Sequence, residues 1–307
     1  MKQFFCSLLL LPFFFSHLSC KPKQENGPLS LKVMSFNIWH GGGKSVEATG
    51  RVFFESGADI IGVQESFRDE KNMAVYLADS LGWYSSDLGG GRSVVSRYPI
   101  IGHSANRLGV KIQLSDNQFV WMFNVHLMYC PYEPYQLNGI HYCGAPLLAT
   151  AEEAIASALS TRKADVEMNI SDILEVRKEG YPIFLTGDFN EPSCLDWTAK
   201  AVEAELCKLP VVWPSTQAFM EKGGLIDSYR TFYTDEVEQP GYTWTPIPET
   251  EAYVEVMDRI DFVFYSGGEK IQLVNAQLVG EEGPGADISF ADFPSDHRAV
   301  LSSFVLF

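Results

Sequence analysis

Short apolar runs, separated by polar or helix-compatible segments, extend along most of the chain and predict a mixed α/β fold. The runs that predict strands are "LKVMSFNIW", "ADIIGVQES", "GGGRSVVSRYPI", "RLGVKIQL", "FVWMFNVHL", "YPIFLTGDFN", "RIDFVFYS", "IQLVNAQLV" and "AVLSSFVLF". Helices are predicted over residues 45 to 57, 70 to 81 and about 146 to 178. Because the strands come singly, in clusters and between helices, we expect them to form more than one sheet.

The first residues, "MKQFFCSLLLLPFFFSHLSC", have a different pattern: Lys2 precedes an apolar stretch that is too short to span a membrane comfortably. This predicts a secretory signal peptide of residues 1–19. "LSC" resembles a bacterial lipoprotein cleavage box with Cys20 as the lipidated residue, although His17 replaces the usual aliphatic residue. Cleavage by an ordinary signal peptidase nearby is the alternative. Either way we expect an exported protein: a membrane-anchored lipoprotein of a bacterial cell envelope, periplasmic or outer-membrane, or a secreted protein.

The polar segment "KPKQENGPLS" follows Cys20 and predicts a tether of residues 20–30. The sequence contains no internal repeat and no low-complexity linker beyond it. Residues 31–307 are therefore predicted to form one domain, and we expect a monomer.

Composition and charge narrow the class of partner. Apolar residues make up 46% of the chain, which suffices for a large core and excludes a disordered protein. The 23 Lys and Arg against 39 Asp and Glu give a net charge of −16, which repels phosphate polymers and disfavours nucleic acid unless a local basic groove exists. Two cysteine pairs, Cys130 with Cys143 and Cys194 with Cys207, are compatible with two disulfides in an exported protein, although spacing does not prove the pairing.

Polar residues recur where the predicted strands end or begin. Each alone is commonly a cap, a turn residue or a core residue. Together they are the inventory of a Mg²⁺-dependent phosphoester hydrolase, because hard cations prefer oxygen ligands. The residues are Asn37, Glu65, His126, Asp188, Asn190, Asp261, Asp296 and His297.

Two of these positions carry further expectations. Asp188 and Asn190 should face the same way while Phe189 packs into the core, because side chains alternate along an extended chain. Asp261 lies between Ile260 and Phe262, so its sheltered carboxylate needs a partner, for which a histidine is suited.

The ordered set "SFNIW", "ADIIGVQES", "GRSVVSRYPI", "FNVHL", "IFLTGDFNEP", "GYTWTP", "RIDFVF" and "PSDHRAVL" resembles the endonuclease/exonuclease/phosphatase superfamily from about residue 31 to 307. The resemblance implies a DNase I-like, four-layered α/β/β/α sandwich with the site at one end of two facing sheets. It also implies a metal-dependent phosphoric ester hydrolase. Glu65, Asn37 and Asp296 would hold Mg²⁺, with Mn²⁺ or Ca²⁺ as alternatives.

The same resemblance implies catalytic roles for five residues. Asp188 would orient or deprotonate the attacking water, and Asn190 would hold a phosphoryl oxygen. His297, paired with Asp261, would stabilise the charge that develops on the phosphate, and His126 would contact the phosphate as well. Phosphoryl transfer depends mostly on positioning and charge stabilisation, which these groups can supply.

Departures from the DNA-repair members indicate the substrate. The chain has Asn37-Ile38-Trp39 where those members carry "N-x-D". We therefore expect a phosphodiester or phosphomonoester that is small or lipid-linked, sphingomyelinase-like or inositol-phosphate-like. The segment "MYCPYEPYQLNGIHYCGAP" follows His126 and should lie beside the site, with Tyr132 and Tyr135 as substrate-binding residues. The alternative is that its tyrosines pack a surface loop. The segment "SYRTFYTDEVEQPGYTWTP" would supply a second wall, with Trp244 as a further substrate-binding residue.

Two other functions are open at this point. An extracellular endonuclease or exonuclease would need a basic face, for which Arg92, Arg97, Arg107, Arg162 and Arg259 are candidates. A catalytically inactive surface binding module would be expected to lack at least one catalytic residue. Every catalytic residue type is present at the positions named above. His40 is interpreted as a surface or packing histidine.

Overall fold

A computed structural model describes residues 27–247 and 255–307. The predicted signal peptide, Cys20 and most of the tether lie outside the described residues. The first strand begins at Leu29, two residues before the predicted start of the domain. Among the described residues, no helix combines the length and apolarity needed to cross a membrane.

The first sheet has seven strands and contains both chain ends of the described domain. Its central strands form the parallel pair β1 and β2, and β15 lies antiparallel to β1. In spatial order the strands are β14 (Ile288–Phe290), β13 (Ile271–Glu281), β15 (Ala299–Leu306), β1 (Leu29–Asn37), β2 (Ile60–Gln64), β6 (Arg92–Ser96) and β5 (Tyr84–Gly89).

The second sheet has six strands, with β9 and β10 as its parallel pair. In spatial order the strands are β11 (Leu225–Asp227), β12 (Asp261–Ser266), β10 (Ile183–Asp188), β9 (Phe119–His126), β8 (Gly109–Gln113) and β7 (Ile100–His103). A separate hairpin pairs β3 (Phe67–Arg68) with β4 (Lys71–Asn72).

The predicted helices are present within the expected ranges. The longest, α5, begins at a capping box formed by Thr150 and Glu153. The helices are α1 (Trp39–Gly42), α2 (Val46–Glu55), α3 (Met73–Leu81), α4 (Glu133–Leu137), α5 (Ala151–Arg177), α6 (Ala199–Glu203), α7 (Pro214–Glu221) and α8 (Ser228–Phe232).

Three apolar clusters define the layers. One lies between the two sheets and includes Val33 and Phe184. A second lies between the first sheet and helices α2 and α3. A third lies between the second sheet and helices α5 and α7. The fold is therefore the four-layered α/β/β/α sandwich that the sequence predicted.

Among the described cysteines, Cys130 and Cys143 form a disulfide. The second bond that the spacing allowed, between Cys194 and Cys207, is not formed. The two thiols pack against different neighbours: Cys194 Sγ lies 3.9 Å from Met220 Sδ, whereas Cys207 packs on the apolar cluster that contains two tryptophans.

Candidate active site

The predicted polar residues meet at one edge of the two sheets. Asn37 ends β1 and Glu65 follows β2, and these parallel strands bring their carboxyl ends together. His126 and Asp188 end the parallel pair β9 and β10. Asp261 begins β12, which runs antiparallel to β10 and therefore starts at the same edge. Side chains far apart in sequence thus become neighbours through strand direction alone.

Strand register makes Asp188 the centre of this edge. Asp188 is paired with Asp261 on one side and with His126 on the other. The sheets approach closely beneath it: a Cβ atom on Gly62 would lie 1.8 Å from Thr186 Oγ1, so this position has no room for any side chain. Close approach lets one cavity collect groups from both sheets.

One oxygen of Asp188 contacts three functional side chains. Its Oδ2 atom accepts a hydrogen bond of 2.9 Å from Asn37 Nδ2, and lies 3.6 Å from His126 Nε2 and 3.8 Å from His297 Nε2. Its Oδ1 atom accepts from the backbone N–H of Asn190 at 2.9 Å. The carboxylate is buried, so these contacts fix its orientation.

His297 and Asp261 form a buried pair, with 2.8 Å between Nδ1 and Oδ2. Burial alone would lower the pKa of His297, but the charges of Asp261 and Asp188 raise it well above its usual value. Burial raises the pKa of the Asp261 carboxyl group, against the opposing effect of His297. At neutral pH the proton therefore lies on the imidazole, and a cation faces the cavity.

Glu65 is held by donors on both carboxylate oxygens. Asn37 Nδ2 donates to Oε1 at 3.2 Å, and the His40 backbone N–H donates to Oε2 at 2.9 Å. Burial raises the pKa of Glu65, but these hydrogen bonds outweigh it and hold the pKa below its usual value. Asn37 presents its nitrogen to both carboxylates, while its oxygen accepts from the Trp39 N–H at 3.0 Å.

Asp296 lies across the cavity and is half-buried. Burial raises the pKa of its carboxyl group, and the neighbouring charge of Glu65 raises it further, against the lowering effect of His297. Two carboxylates that repel each other within one cavity offer hard oxygen ligands and a negative potential. This donor set fits a divalent cation such as Mg²⁺. Asp188, Asp261 and His297 also lie close enough to share an ion, but a set that includes an imidazole nitrogen suits Mg²⁺ less well than oxygen ligands alone.

Asn190 and Phe189 lie on opposite sides of the chain, as the alternation of side chains predicted. Asn190 faces the cavity and donates from Nδ2 to the Leu127 carbonyl oxygen at 3.1 Å. Phe189 is fully buried, with its ring centroid 4.8 Å from that of Phe262 and 5.4 Å from that of Phe219. The phenyl ring anchors the loop that carries the two polar side chains.

These groups line a cavity of about 520 Å³, here called the strand-end cavity. Its lining is part polar and part aromatic. The polar residues are His40, Glu65, His126, Asp188, Asn190, Asp296 and His297, and the aromatic residues are Trp39, Phe67, Tyr129, Tyr142 and Trp244.

The three predicted substrate-binding residues occupy different places. Trp244 lines the cavity, with its ring centroid 4.9 Å from that of His297. Tyr132 and Tyr135 are buried and stack edge to face behind the cavity at a small recess. The Tyr132 hydroxyl donates to Asp258 Oδ2 at 2.7 Å.

Sequence reasoning missed several residues at the cavity. His40 is exposed, as expected, but it also lines the cavity: its backbone N–H donates to Glu65, and its Nδ1 lies 3.5 Å from Glu65 Oε2. Ser295 donates to the Asn37 carbonyl oxygen at 2.7 Å and accepts from the His297 N–H at 3.1 Å, which joins two strand ends. Position just after a strand end was the available signal for His40.

Residues 34–297 match the family model described as Endonuclease/Exonuclease/phosphatase family. The chain belongs to this family. Its members are hydrolases that act on phosphoester bonds, and they generally depend on a divalent metal. The chain is also 27% identical over 303 residues to an uncharacterized protein of Caenorhabditis elegans, covering 89% of this chain and 91% of that protein.

Solved structures share the fold at low sequence identity. An AP endonuclease from Archaeoglobus fulgidus superposes with a TM-score of 0.56 and 13% identity, covering 89% of this chain and 98% of that one. TDP2 from Caenorhabditis elegans gives 0.53 and 16%, covering 91% and 75%. A family protein from Bacteroides thetaiotaomicron gives 0.52 and 17%, covering 92% and 100%. These likenesses support the fold alone.

Proposed function

We propose that this family member is an exported, Mg²⁺-dependent phosphoesterase that hydrolyses a phosphodiester or phosphomonoester of a small or lipid-linked substrate. The observation that carries the proposal is the arrangement around Asp188. One buried carboxylate lies within 4 Å of the nearest atoms of Asn37, His126 and His297, beside a second pair of carboxylates in the same cavity.

In this proposal Glu65 and Asp296 hold the cation, and Mn²⁺ or Ca²⁺ are the alternatives to Mg²⁺. Asn37 acts beside them by fixing Glu65 and Asp188 through its amide nitrogen. When bound, the cation would stabilise the negative charge on the phosphoryl oxygens and help to orient the substrate.

The remaining catalytic roles belong to side chains of the protein. Asp188 accepts a proton from the water whose oxygen attacks phosphorus, since its Oδ2 atom lies between two imidazoles. The bond from phosphorus to the ester oxygen breaks, and the leaving alcohol takes its proton from solvent. His297, protonated and backed by Asp261, stabilises charge on the phosphoryl oxygens. Asn190 and His126 donate to the same oxygens.

The positions of the arginines favour a small substrate over nucleic acid. Arg162 and Arg259 are buried, and their guanidinium groups pair with internal carboxylates. Arg97 lies over the Trp83 ring, with its Cζ atom 4.3 Å from the ring centroid. Arg162 and Arg259 are therefore not available to a phosphate polymer, which leaves Arg97 and Arg107 as the exposed members of the five candidates for the basic face that a nuclease would need.

Export and anchoring remain part of the proposal on sequence grounds. The amino-terminal pattern favours a signal peptide with lipidation at Cys20. The Cys130–Cys143 disulfide accords with an oxidising compartment outside the cytoplasm. We propose a monomeric, membrane-anchored enzyme.

The test is a screen for phosphate release and phosphodiester cleavage with Mg²⁺ and with EDTA. We expect activity that EDTA abolishes and that added Mg²⁺ restores. Glu65→Gln should raise the Mg²⁺ concentration required for half-maximal activity at least about tenfold, the scale typical of disturbing a metal site. Glu55→Gln, an exposed carboxylate at the end of α2, is the matched control. Activity on DNA with none on any small phosphoester would support a nuclease, and undiminished activity in EDTA would reject the metal-dependent mechanism.

A further inference from the structure

Three aromatic side chains line the strand-end cavity beside the catalytic groups: Tyr129, Tyr142 and Trp244, here called the aromatic wall. Tyr129 is 53% exposed, so its ring is presented to solvent and ligand rather than packed in the core. The ring centroids of Tyr129 and Tyr142 are 6.5 Å apart, and Trp244 lies against His297. The same residues also border a recess of about 70 Å³ beside Asn190.

The disulfide pins two of these rings. Tyr129 immediately precedes Cys130, and Tyr142 immediately precedes Cys143. The bond therefore joins the two segments that carry these rings at the cavity. Fixed rings lose less conformational freedom on binding, which favours recognition of a ligand face.

Apart from its histidines, the cavity is poor in cationic side chains. Of the described residues that line it, none is lysine or arginine. Three nearby lysine and arginine side chains already have partners within the protein. Lys44 Nζ lies 5.7 Å from the centre of the Trp39 ring, Arg68 donates to the Gly43 carbonyl oxygen, and Arg92 donates to the Gly89 carbonyl oxygen.

A second phosphate on the substrate would bring charge that this surface does not neutralise. Binding of several phosphates ordinarily relies on arginine and lysine. Aromatic faces instead attract flat apolar groups and organic cations. The polar and the aromatic residues of the lining thus differ in chemistry: the polar residues suit a single phosphoryl group, and the aromatic residues suit an uncharged or cationic organic group.

We infer that the aromatic wall is a specificity subsite, held in place by the Cys130–Cys143 bond, for phosphoesters that carry one phosphoryl group and a planar or cationic organic group. Polyphosphorylated substrates are selected against. This inference rests on the proposed phosphoesterase function and adds its substrate class.

The experiment measures inhibition constants, or KM for any compound that is turned over, with a set of simple phosphomonoesters. The probes are methyl phosphate, phenyl phosphate, phosphocholine and catechol bisphosphate. We expect phenyl phosphate and phosphocholine to bind about tenfold more tightly than methyl phosphate, the scale of one aromatic contact. Catechol bisphosphate should bind no more tightly than phenyl phosphate.

Variants locate the effect. Trp244→Leu and Tyr142→Leu should reduce the preference over methyl phosphate to about twofold or less, since each loses a ring face. Tyr76→Leu, an exposed ring on α3, should leave the preference unchanged. The double substitution Cys130→Ser with Cys143→Ser should weaken the preference, whereas Cys194→Ser should not.

The outcomes separate the two proposals. If no phosphoester is hydrolysed by the wild type, the proposed function fails. If hydrolysis occurs but catechol bisphosphate binds more tightly than phenyl phosphate, or the preference survives both ring substitutions, the specificity subsite is wrong and the phosphoesterase proposal stands.

Discussion

Arg162 is a fully buried cation on α5, and its replacement by methionine tests how the loop beside the cavity is held. Its Nη1 atom lies 2.8 Å from Glu133 Oε2 and 3.7 Å from Glu191 Oε2. Nε donates to the Met128 carbonyl oxygen at 2.9 Å and Nη2 to the Pro131 carbonyl oxygen at 2.7 Å. The Arg162 guanidinium thus joins α5 to the loop that carries Tyr129 and Tyr142, and also to Glu191, the residue after Asn190.

The magnitude follows from what Arg162→Met leaves behind. Two buried carboxylates lose their cation, which typically costs about 3–5 kcal/mol. Some of that loss is offset because Ser215 still donates to Glu191 through N and Oγ, at 2.6 and 2.8 Å. We expect the free energy of unfolding to fall by about 4 kcal/mol near pH 8.

The loss should depend on pH through Glu191. Burial raises the pKa of Glu191 to about 7, and Arg162 opposes this rise. A carboxyl group whose folded pKa is raised stabilises the fold fully below its unfolded pKa of about 4.3, and this contribution is lost as pH rises through the folded pKa. Without Arg162 the pKa of Glu191 in the folded protein is higher, so the stability that its protonated form contributes continues to fall at higher pH. The destabilisation should therefore be larger near pH 8 than near pH 5.

The assay is urea unfolding of both proteins near pH 5 and pH 8, followed by circular dichroism. Lys163→Met, the adjacent but exposed cation on α5, should change the free energy of unfolding by less than about 0.5 kcal/mol. An Arg162→Met loss below about 1 kcal/mol near pH 8, or an equal loss at both pH values, would refute this reasoning.

Two further predictions concern the site. Asp261→Asn removes the charge that raises the pKa of His297, so the alkaline limb of the pH–rate profile should move to lower pH; an unmoved limb would contradict an imidazolium role. Phe189→Ala should lower the free energy of unfolding by about 3–5 kcal/mol in urea titrations, because the buried ring leaves a cavity. Phe54→Ala, at a ring that is 57% exposed, should cost much less, and equal losses would refute the anchoring role.

Much of the fold could be predicted because apolar runs mark buried strands. The strongest runs, such as "IFLTGD" in β10 and "DFVFYS" in β12, are buried along nearly their whole length. Edge strands were harder: β5 (Tyr84–Gly89) is half exposed and rich in Ser and Gly, so it lacks a strand-like composition. The short helix α7 was missed because its apolar stripe covers barely two turns.

The site could be predicted as a set of residues but not as a geometry. Strand-end position located the polar groups, and parallel pairing explains why they meet. The burial of Tyr132 and Tyr135, as against the presence of Tyr129 and Tyr142 at the cavity, depends on how one loop folds back on itself. The tyrosines of this irregular segment follow neither a helical nor a strand period, so the sequence does not indicate which of them are buried.

The central claim is that Asp188 activates water for attack on phosphorus. The most direct measurement compares single-turnover hydrolysis of the best phosphoester by wild type and Asp188→Asn at saturating Mg²⁺, with Asp79→Asn, an exposed carboxylate on α3, as control. We predict a loss of at least about a hundredfold for Asp188→Asn and none for the control. Equal rates for wild type and Asp188→Asn would contradict the account.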